Sequence, residues 1–275
     1  MEYTLKPIAP EHLAAALRVE KAAMGNHCYL ADVYEYFQTT QGELTGVFAG
    51  GELAGIGKLT VLWDGSGWLE ALRVAPEWQR KGVGTAIYRR YMEQAEALGC
   101  TALRMYTGIH NVASAELARR FGLQQAAQFR EYTLPAAQGG GEEDFSPVSP
   151  DEAFALLEPW FGRYNGYVVM NRTYYRLNEA TCRGLAQNGR LWRHAQSGTV
   201  MVAGARFQPG KGLHIALLEG DRGRGLAFAQ RLAARQGAGQ LLCNFALENP
   251  GLEAFLQQNG FRAAGDDLIT MELAL

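Results

Sequence analysis

The alternation of apolar and polar positions divides the first half of the chain into helices and strands. Apolar residues at Val83, Ile87, Tyr91, Ala95 and Leu98 recur every three to four positions, which predicts one buried face of a long helix. Related spacing predicts three further helices, at 10–23, 30–38 and 112–121. Apolar runs bounded by turn residues predict strands at 3–7, 44–49, 52–63, 68–74, 101–107 and 125–134.

The second half of the chain has a similar pattern. Helices are predicted at 150–160, 225–235 and 252–258, and a segment rich in Tyr, Asn and Arg up to residue 187 is predicted to include helices. Strands are predicted at 191–194, 199–207, 213–218, 240–247 and 268–273.

A seam lies between these halves, where Gly139 to Gly141 are followed by three acidic residues. Such a composition is typical of a linker, so the sequence predicts a domain at 1–135, a linker at 136–146 and a domain at 147–275. The halves can also be overlaid: Gly82 corresponds to Gly225 with an offset of 143 residues, and Asn111 corresponds to Asn249 with an offset of 138 residues. We therefore expect a duplicated domain whose second copy has a helix five residues shorter.

Composition narrows the classes of function. The 275 residues are 48% hydrophobic and 20% charged, which is typical of globular proteins with a sizeable core. A formal net charge of −2 argues against nucleic-acid binding through the overall charge of the protein, because phosphate binding requires an excess of basic residues. With neither a secretory signal nor an apolar stretch of about 18–20 residues, no membrane partner is expected.

The four cysteines are scattered without metal-ligand spacing, so we expect reduced thiols, no metal site and a cytoplasmic protein. Cys28 beside His27 is a weaker candidate for a nucleophile, because adjacent residues rarely form a nucleophile–base pair.

One motif carries chemistry. Gly82 and Gly84 lie in a loop between a predicted strand and a predicted helix, where free N–H groups and the helix dipole suit a phosphate. A dinucleotide fingerprint would need a third glycine where Ile87 stands, and a Walker A loop would need Gly-Lys-Ser/Thr. The pattern that fits is Gln/Arg-x-x-Gly-x-Gly/Ala.

That segment resembles the acyl-CoA-binding motif of the GNAT acetyltransferase superfamily. Three neighbouring stretches resemble other parts of the family pattern in the expected order: 72–76, 111–114 and 120–123. The resemblance implies an α+β fold, with a mixed, mostly antiparallel central sheet flanked by helices, here as two tandem domains. It also implies acetyl-CoA as cosubstrate and no metal.

The resemblance implies roles for individual residues. The backbone of Leu72 and Val74 would pair with the pantetheine arm, and Asn111 and Ser114 would lie beside the pantetheine or the thioester. The pyrophosphate would be cradled by backbone N–H groups of one loop, formed by Gln79, Arg80, Lys81, Gly82, Val83, Gly84 and Thr85.

The implied reaction is direct attack of a primary amine, of a small molecule or peptide, on the acetyl thioester. Because an alkylamine with a pKa of about 10.4 is protonated at neutral pH, a base is useful. Glu70 is the candidate, since it lies two and four residues before Leu72 and Val74 and is expected on their face of the strand. The alternative for Glu70 is an exposed carboxylate in a salt bridge.

Two features leave a second function open. The family's usual proton donor is a Tyr seven residues after Asn111, where this chain has Ala118; Tyr88, Tyr91 and Tyr106 are the possible substitutes. The second half carries acidic residues where pyrophosphate would lie, so it is expected to be degenerate, with CoA binding there as the alternative. A noncatalytic acyl-CoA-binding or sensing protein is therefore the alternative to an enzyme.

The amine acceptor is expected near the loop at 24–29, as in the family. Asp32 and Glu35 lie on one helical face and could attract a cationic amine, although a solvated helix face is the preferred explanation for them. Trp63 and Trp68 would wall a pocket or pack in the core, and His110 is a second possible base. The sequence is compatible with a monomer or a homodimer.

Overall fold

The computed structural model describes residues 2–137 and 144–275, and the three glycines of the predicted linker lie outside them. The described chain divides into two compact units. Unit 1 comprises 1–105, 111–124 and 271–275, and unit 2 comprises 106–110 and 125–270. Within the two described ranges, every helix is too short or too polar to cross a bilayer.

Unit 1 contains four helices and five strands. The strands are β1 (Thr4–Pro7), β2 (Gly42–Ala49), β3 (Glu52–Val61), β4 (Gly67–Val74) and β5 (Ala102–Gly108, which ends in unit 2). The helices are α1 (Leu13–Met24), α2 (Leu30–Thr39), α3 (Val83–Ala97) and α4 (Val112–Arg120), with a 3₁₀ turn before α1 and another at Pro76–Trp78.

The sheet of unit 1 runs in chain order. Strands β1 to β4 are successively antiparallel, and β4 is parallel to β5. The C-terminal residues of the chain lie next to β5, where Glu272 and Asp64 both form 2.7 Å ion pairs with the buried guanidinium of Arg104. The end of the chain is therefore part of the structure of unit 1.

Helix α3 packs through the face that its spacing predicts. Val83, Ile87, Tyr91 and Ala95 are all buried. The helix approaches β3 closely because Gly57 has no Cβ; a Cβ there would collide with the side chains of Ile87 and Tyr91. The long helix and its buried face are thus confirmed.

Unit 2 has four helices and ten strands among the residues described. The helices are α5 (Ala153–Leu157), α6 (Glu179–Gln187), α7 (Arg222–Gln236) and α8 (Pro250–Gln258). The strands are β6 (Gln124–Pro135), β7 (Phe145–Pro147), β8 (Tyr167–Met170), β9 (Thr173–Arg176), β10 (Leu191–His194), β11 (Val200–Gly204), β12 (Leu213–Glu219), β13 (Gln240–Ala246), β14 (Arg262–Ala263) and β15 (Leu268–Ala274). The first residue of β6 and the last four of β15 are counted with unit 1.

The main sheet of unit 2 repeats the plan of unit 1. Strand β12 is antiparallel to β11 and parallel to β13, and β13 is antiparallel to β6. The Tyr-rich segment before residue 187 includes a helix, α6, as predicted, but it also contains the hairpin β8–β9, which was not predicted. The turn residues Asn171 and Arg172 both have positive φ, 49° and 53°, which closes a tight hairpin that helical periodicity does not reveal.

The fold class is confirmed: each unit is a mixed, mainly antiparallel sheet flanked by helices. The compact units and the predicted segments 1–135 and 147–275 divide the chain differently. Residues 125–135 pack with β13 in unit 2, whereas Met271–Leu275 pack in unit 1. Strands that are distant in sequence pack together, and the local composition at the predicted linker gives no information about such contacts.

Candidate functional site

The parallel strands β4 and β5 begin side by side and then separate. Among the described residues, β4 and β5 pair at Gly67 with Leu103 and at Trp68 with Arg104, although β4 continues to Val74. The later part of β4 therefore has a backbone edge that β5 does not pair. Such an edge suits an extended ligand that adds to the sheet like a strand.

A β-bulge interrupts β4 at the centre of this edge. Ala71 has a φ of +53°. Arg73 pairs with Ile56 and Glu70 pairs with Lys58, so a shift of three residues along β4 corresponds to a shift of two residues along β3. Because residues opposite each other share a face, Glu70 lies on the face of Arg73, whereas Val74, opposite Gly55, lies on the other. The expectation that Glu70 and Val74 share a face is therefore wrong, since the bulge breaks the alternation.

Glu70 is half-buried and held by neighbouring groups. Thr60 Oγ1 donates a 2.7 Å hydrogen bond to Glu70 Oε1, and the fully buried Lys58 is directly opposite on β3. The Tyr91 hydroxyl donates to the Glu70 carbonyl oxygen at 3.3 Å. The carboxylate is thus oriented on the face of the sheet towards which α2 packs, where Phe37 lies 5.9 Å from the Lys58 ammonium.

The loop before α3 has the geometry of an anion cradle. Arg80 has a φ of +59° and Gly82, the N-cap of α3, a φ of +94°. The first helical hydrogen bond is from Ala86 N–H to Gly82 O, so the N–H groups of Val83, Gly84 and Thr85 have no partner within the helix and can bind a ligand. Left-handed residues beside a helix N-terminus orient successive N–H groups into a concave anion site.

The loop is also exposed and positively charged. Gln79, Arg80, Lys81 and Gly82 are all exposed, and the Tyr3 hydroxyl holds the loop through a 2.6 Å hydrogen bond to Lys81 O. A Cβ on Gly82 would meet nothing within 4 Å, so there is open space at the loop. These residues fit the pyrophosphate of CoA.

The other residues of the motif serve the backbone geometry. A Cβ on Gly84 would lie 3.0 Å from Leu117, so this glycine lets α3 pack closely on α4. Val83 is buried in the core, so it can offer a ligand only its backbone N–H group, whereas Thr85 is half-buried. Gly84 and Gly82 therefore have different roles, although both are glycines of the same sequence motif.

Asn111 and Ser114 lie at the start of α4. The exposed Asn111 is its N-cap, and its Oδ1 accepts a 3.3 Å hydrogen bond from Ser114 N–H. Both are thus fixed at a helix N-terminus in unit 1. Ala118 is fully buried, so a tyrosine at this position would not fit without repacking α4.

The three candidate tyrosines lie in different environments. Tyr88 is buried and stacks on Phe121 with a ring separation of 4.9 Å. Tyr91 is fully buried, and loss of hydration raises its pKa well above the ordinary value. Tyr106 belongs to unit 2 and stacks on Tyr174 at 6.0 Å. Of these, Tyr91 has its hydroxyl at the bulge.

The loop between α1 and α2 is anchored by a residue that sequence reasoning missed. Glu20 is buried, and its carboxylate accepts hydrogen bonds of 3.0–3.1 Å from the N–H groups of Tyr29 and Leu30. It thereby caps α2 from another helix, as carboxylates do at helix N-termini. The sequence signal that could have revealed this role is the position of Glu20 on the buried, otherwise apolar face of α1.

The remaining acceptor candidates are separated by their exposure. Asp32 and Glu35 are exposed, as is Cys28, whereas Trp68 is buried in the core and Trp63 is half-buried. His110 is exposed in unit 2. Within residues 2–137 and 144–275, no three His, Cys, Asp or Glu side chains lie close enough together to hold a metal ion.

The equivalent segment of unit 2 is folded differently. In the gap-free overlay Gln79 corresponds to Arg222, but Arg222 to Gly225 form the first turn of α7 instead of a loop. The Asp221 carboxylate is the N-cap and accepts a 3.1 Å hydrogen bond from Arg224 N–H. Helix α7 has 15 residues, as does α3, so the predicted shortening of the helix is wrong. The helix begins earlier and the loop is lost.

Glu219 adds a second acidic group beside this turn. It is buried, accepts a 3.1 Å hydrogen bond from the Tyr164 hydroxyl and pairs with Arg222 at 3.6 Å. One N–H group of this turn, that of Arg224, and the basic side chain of Arg222 are therefore already bonded to carboxylates of the chain.

Comparison with known proteins finds a family similarity in the N-terminal part. Residues 11–123 match the model of the "Acetyltransferase (GNAT) family". The chain is 33% identical over 90 residues to the "Uncharacterized N-acetyltransferase YedL" of Escherichia coli (strain K12), covering 32% of this chain and 57% of the relative. It is 36% identical over 87 residues to the "Uncharacterized N-acetyltransferase YsnE" of Bacillus subtilis (strain 168), covering 30% and 56%. The match thus spans just over half the length of these relatives.

Solved structures share the fold over the whole chain. A GCN5-related N-acetyltransferase from Sphaerobacter thermophilus superposes with a TM-score of 0.64 at 14% identity, covering 99% of this chain and 95% of the other. A tandem GNAT protein from the clavulanic acid biosynthesis pathway gives 0.63 at 15% identity, covering 99% and 98%.

Proposed function

We propose that this chain, whose residues 11–123 match the GNAT acetyltransferase family, moves an acetyl group from acetyl-CoA to a primary amine of a small molecule or peptide. The observation that carries the proposal is the combination of an exposed Gly82 loop at the start of α3 and an open, bulged edge of β4 in the same unit.

Acetyl-CoA would be held mostly by backbone groups. The N–H groups from Arg80 to Thr85 would bind the pyrophosphate, with the Arg80 and Lys81 side chains adding charge at the rim. The Gln79 N–H donates to Pro76 O at 3.3 Å and would have to release that bond to join them. The backbone of Leu72 and Val74 would bind the pantetheine arm. The Leu72 and Val74 carbonyl oxygens accept hydrogen bonds from Arg73 Nη1 (2.8 Å) and Gln79 Nε2 (3.4 Å), and these side chains would share or release them.

The protein's chemical task is to deprotonate the acceptor. Acetyl-CoA supplies an activated acetyl thioester, but an ammonium group has no lone pair with which to attack it. Removing the proton from an amine of pKa about 10.4 costs roughly 4–5 kcal/mol at neutral pH. Glu70, oriented by Thr60, accepts this proton directly or through water.

The departing thiol needs less assistance. Its pKa of about 8.5 makes the thiolate a far better leaving group than an amide nitrogen. The buried Ala118 supplies no proton, and Tyr91 offers at most a hydrogen bond from its hydroxyl at the bulge.

Unit 2 would support unit 1 rather than bind a second cofactor. The Asp221 carboxylate already accepts a first-turn N–H of α7, and Glu219 places further negative charge there. Both oppose a pyrophosphate by like-charge repulsion.

Titration calorimetry with acetyl-CoA, combined with thiol release and mass spectrometry on an amine panel, tests the proposal. We expect one site per chain and acetylation of at least one amine class. Two equivalent sites would overturn the assignment of unit 2. Binding without transfer to any polyamine, amino acid, aminoglycoside or peptide would favour a noncatalytic acyl-CoA sensor.

A further inference from the structure

Arg73 is a cationic residue that the β4 bulge places on the same face of the strand as Glu70. Without the bulge, residues 70 and 73 would lie on opposite faces of the strand; with it, both face the side shared by Ile56 and Lys58. This is the face away from Gly55 and Val74, and hence away from α3.

The guanidinium of Arg73 is half-enclosed but lacks a counterion. It lies 5.7 Å from the ring centroid of Tyr29, in the loop that Glu20 anchors. Its Nη1 donates only to the neighbouring Leu72 carbonyl, and its Nε is buried without a hydrogen-bond partner. Among the described residues no carboxylate pairs with it.

Two other enclosed arginines of the chain have carboxylate partners. Arg104 bonds Asp64 and Glu272, and Arg130 bonds Glu253 and Asp267. Because enclosing a cation without a counterion is unfavourable, such a site is completed by an anion from outside the chain. Guanidinium groups match carboxylates in a bidentate geometry, and the free Nε is one of the donors of that fork.

We propose that Arg73 binds the carboxylate of the acceptor, so that the substrate class is an amine that also carries a carboxylate, such as an amino acid or a peptide. This rests on the proposed function. Glu70 and Arg73 are three residues apart, a strand length of about 10 Å that the bulge shortens, and both side chains are long enough to converge on one small molecule. Arg73 would hold the acid end while Glu70 faces the amine.

Matched acceptor pairs test the inference: lysine with cadaverine, ornithine with putrescine, and phenylalanine with phenethylamine. Each pair differs by the carboxylate alone. For the wild-type enzyme we expect kcat/KM to be at least tenfold higher for the carboxylate-bearing member of the best pair. Arg73→Gln should reduce that ratio at least tenfold, chiefly through KM, with Arg73→Lys intermediate. Arg89→Gln, at an exposed position on α3, is the control.

Three outcomes would overturn the inference while leaving the acetyltransferase proposal in place. One is a wild-type ratio near one. Another is an equal loss for both members of a pair in Arg73→Gln. The third is a weaker acetyl-CoA Kd in that variant by calorimetry, which would assign Arg73 to the cofactor. Failure of the wild-type protein to bind acetyl-CoA or acetylate any amine would instead reject the proposed function itself.

Discussion

Thr60 donates a 2.7 Å hydrogen bond from its hydroxyl to the Glu70 carboxylate across the two central strands of unit 1. Thr60 is buried and Glu70 half-buried, so the hydrogen bond is partly shielded from solvent. It fixes which way the carboxylate points at the bulge of β4. The proposed base is therefore positioned by the fold before any substrate arrives.

Replacing the proposed base should reduce the rate more than binding. Glu70→Gln keeps the shape of the side chain but cannot accept the proton, so we expect kcat/KM to fall by about 10²–10⁴ and its pH profile to change. Steady-state kinetics from pH 6 to about 10 would measure this. Glu52→Gln, at an exposed turn, is the matched control. Unchanged activity of Glu70→Gln would mean that Glu70 is a structural carboxylate.

Thr60 should act through Glu70. Thr60→Val preserves volume but removes the hydroxyl, and loss of a hydrogen bond to a charged group corresponds to a reduction of about tenfold in kcat/KM. Thr60→Ser should restore most of it. The same Thr60→Val substitution made in Glu70→Gln should have little further effect. Additive losses in the double variant would show that Thr60 acts independently of Glu70.

The conformation of Gly82 should determine cofactor affinity. Because Gly82 has a φ of +94°, Gly82→Ala is strained by about 1–2 kcal/mol, and relief of that strain would displace the N–H groups of the loop. We expect the Kd for acetyl-CoA to rise roughly tenfold, measured by calorimetry. Gly50→Ala is matched, since Gly50 also has positive φ and open space in the β2–β3 turn. Equal effects of both changes on the Kd would argue against a phosphate cradle at Gly82.

Asp221 should contribute to stability and not to cofactor binding. Asp221→Ala removes the N-cap of α7 and should lower the free energy of unfolding by about 0.5–2 kcal/mol, while Asp221→Asn should recover most of the loss. Denaturant unfolding and acetyl-CoA calorimetry would be measured together. Appearance of a second binding site in Asp221→Ala would show that the carboxylate blocks a competent cradle, and a loss of the single site would place that site in unit 2.

Asp267 should make unit 2 sensitive to acid. Hydrogen bonds from Arg130, foremost, lower the pKa of Asp267 against the opposing effect of burial. Since the pKa is lower in the folded state than in the unfolded chain, where it is about 3.9, the stabilisation is complete above that value and is lost as pH falls through the folded pKa. The difference in unfolding free energy between wild type and Asp267→Asn should thus be constant near neutral pH and shrink below about pH 4. A difference that grows in acid would contradict this sign.

Much of the fold and of the cofactor loop follows from local sequence. The buried face of α3 is visible in the spacing of Val83, Ile87 and Tyr91, since a helix places residues three and four apart on one side. The positions of Gly82 and Arg80 likewise mark a loop suited to an anion. These features depend on a few adjacent residues and on the geometry of a single helix end.

Other features were decided only by tertiary structure. The bulge at Ala71 arises from the register of β4 against β3, and it moves Glu70 to the face of Arg73. The helical start at Arg222 depends on Asp221 capping the turn, although the same motif spacing forms a loop in unit 1. Sequence periodicity specifies which residues are apolar, whereas register and capping depend on which neighbours compete for each backbone N–H. For that reason the sequence alone indicated the loop proposed to bind the cofactor, whereas only the folded chain placed Glu70 and Arg73 on one face of β4.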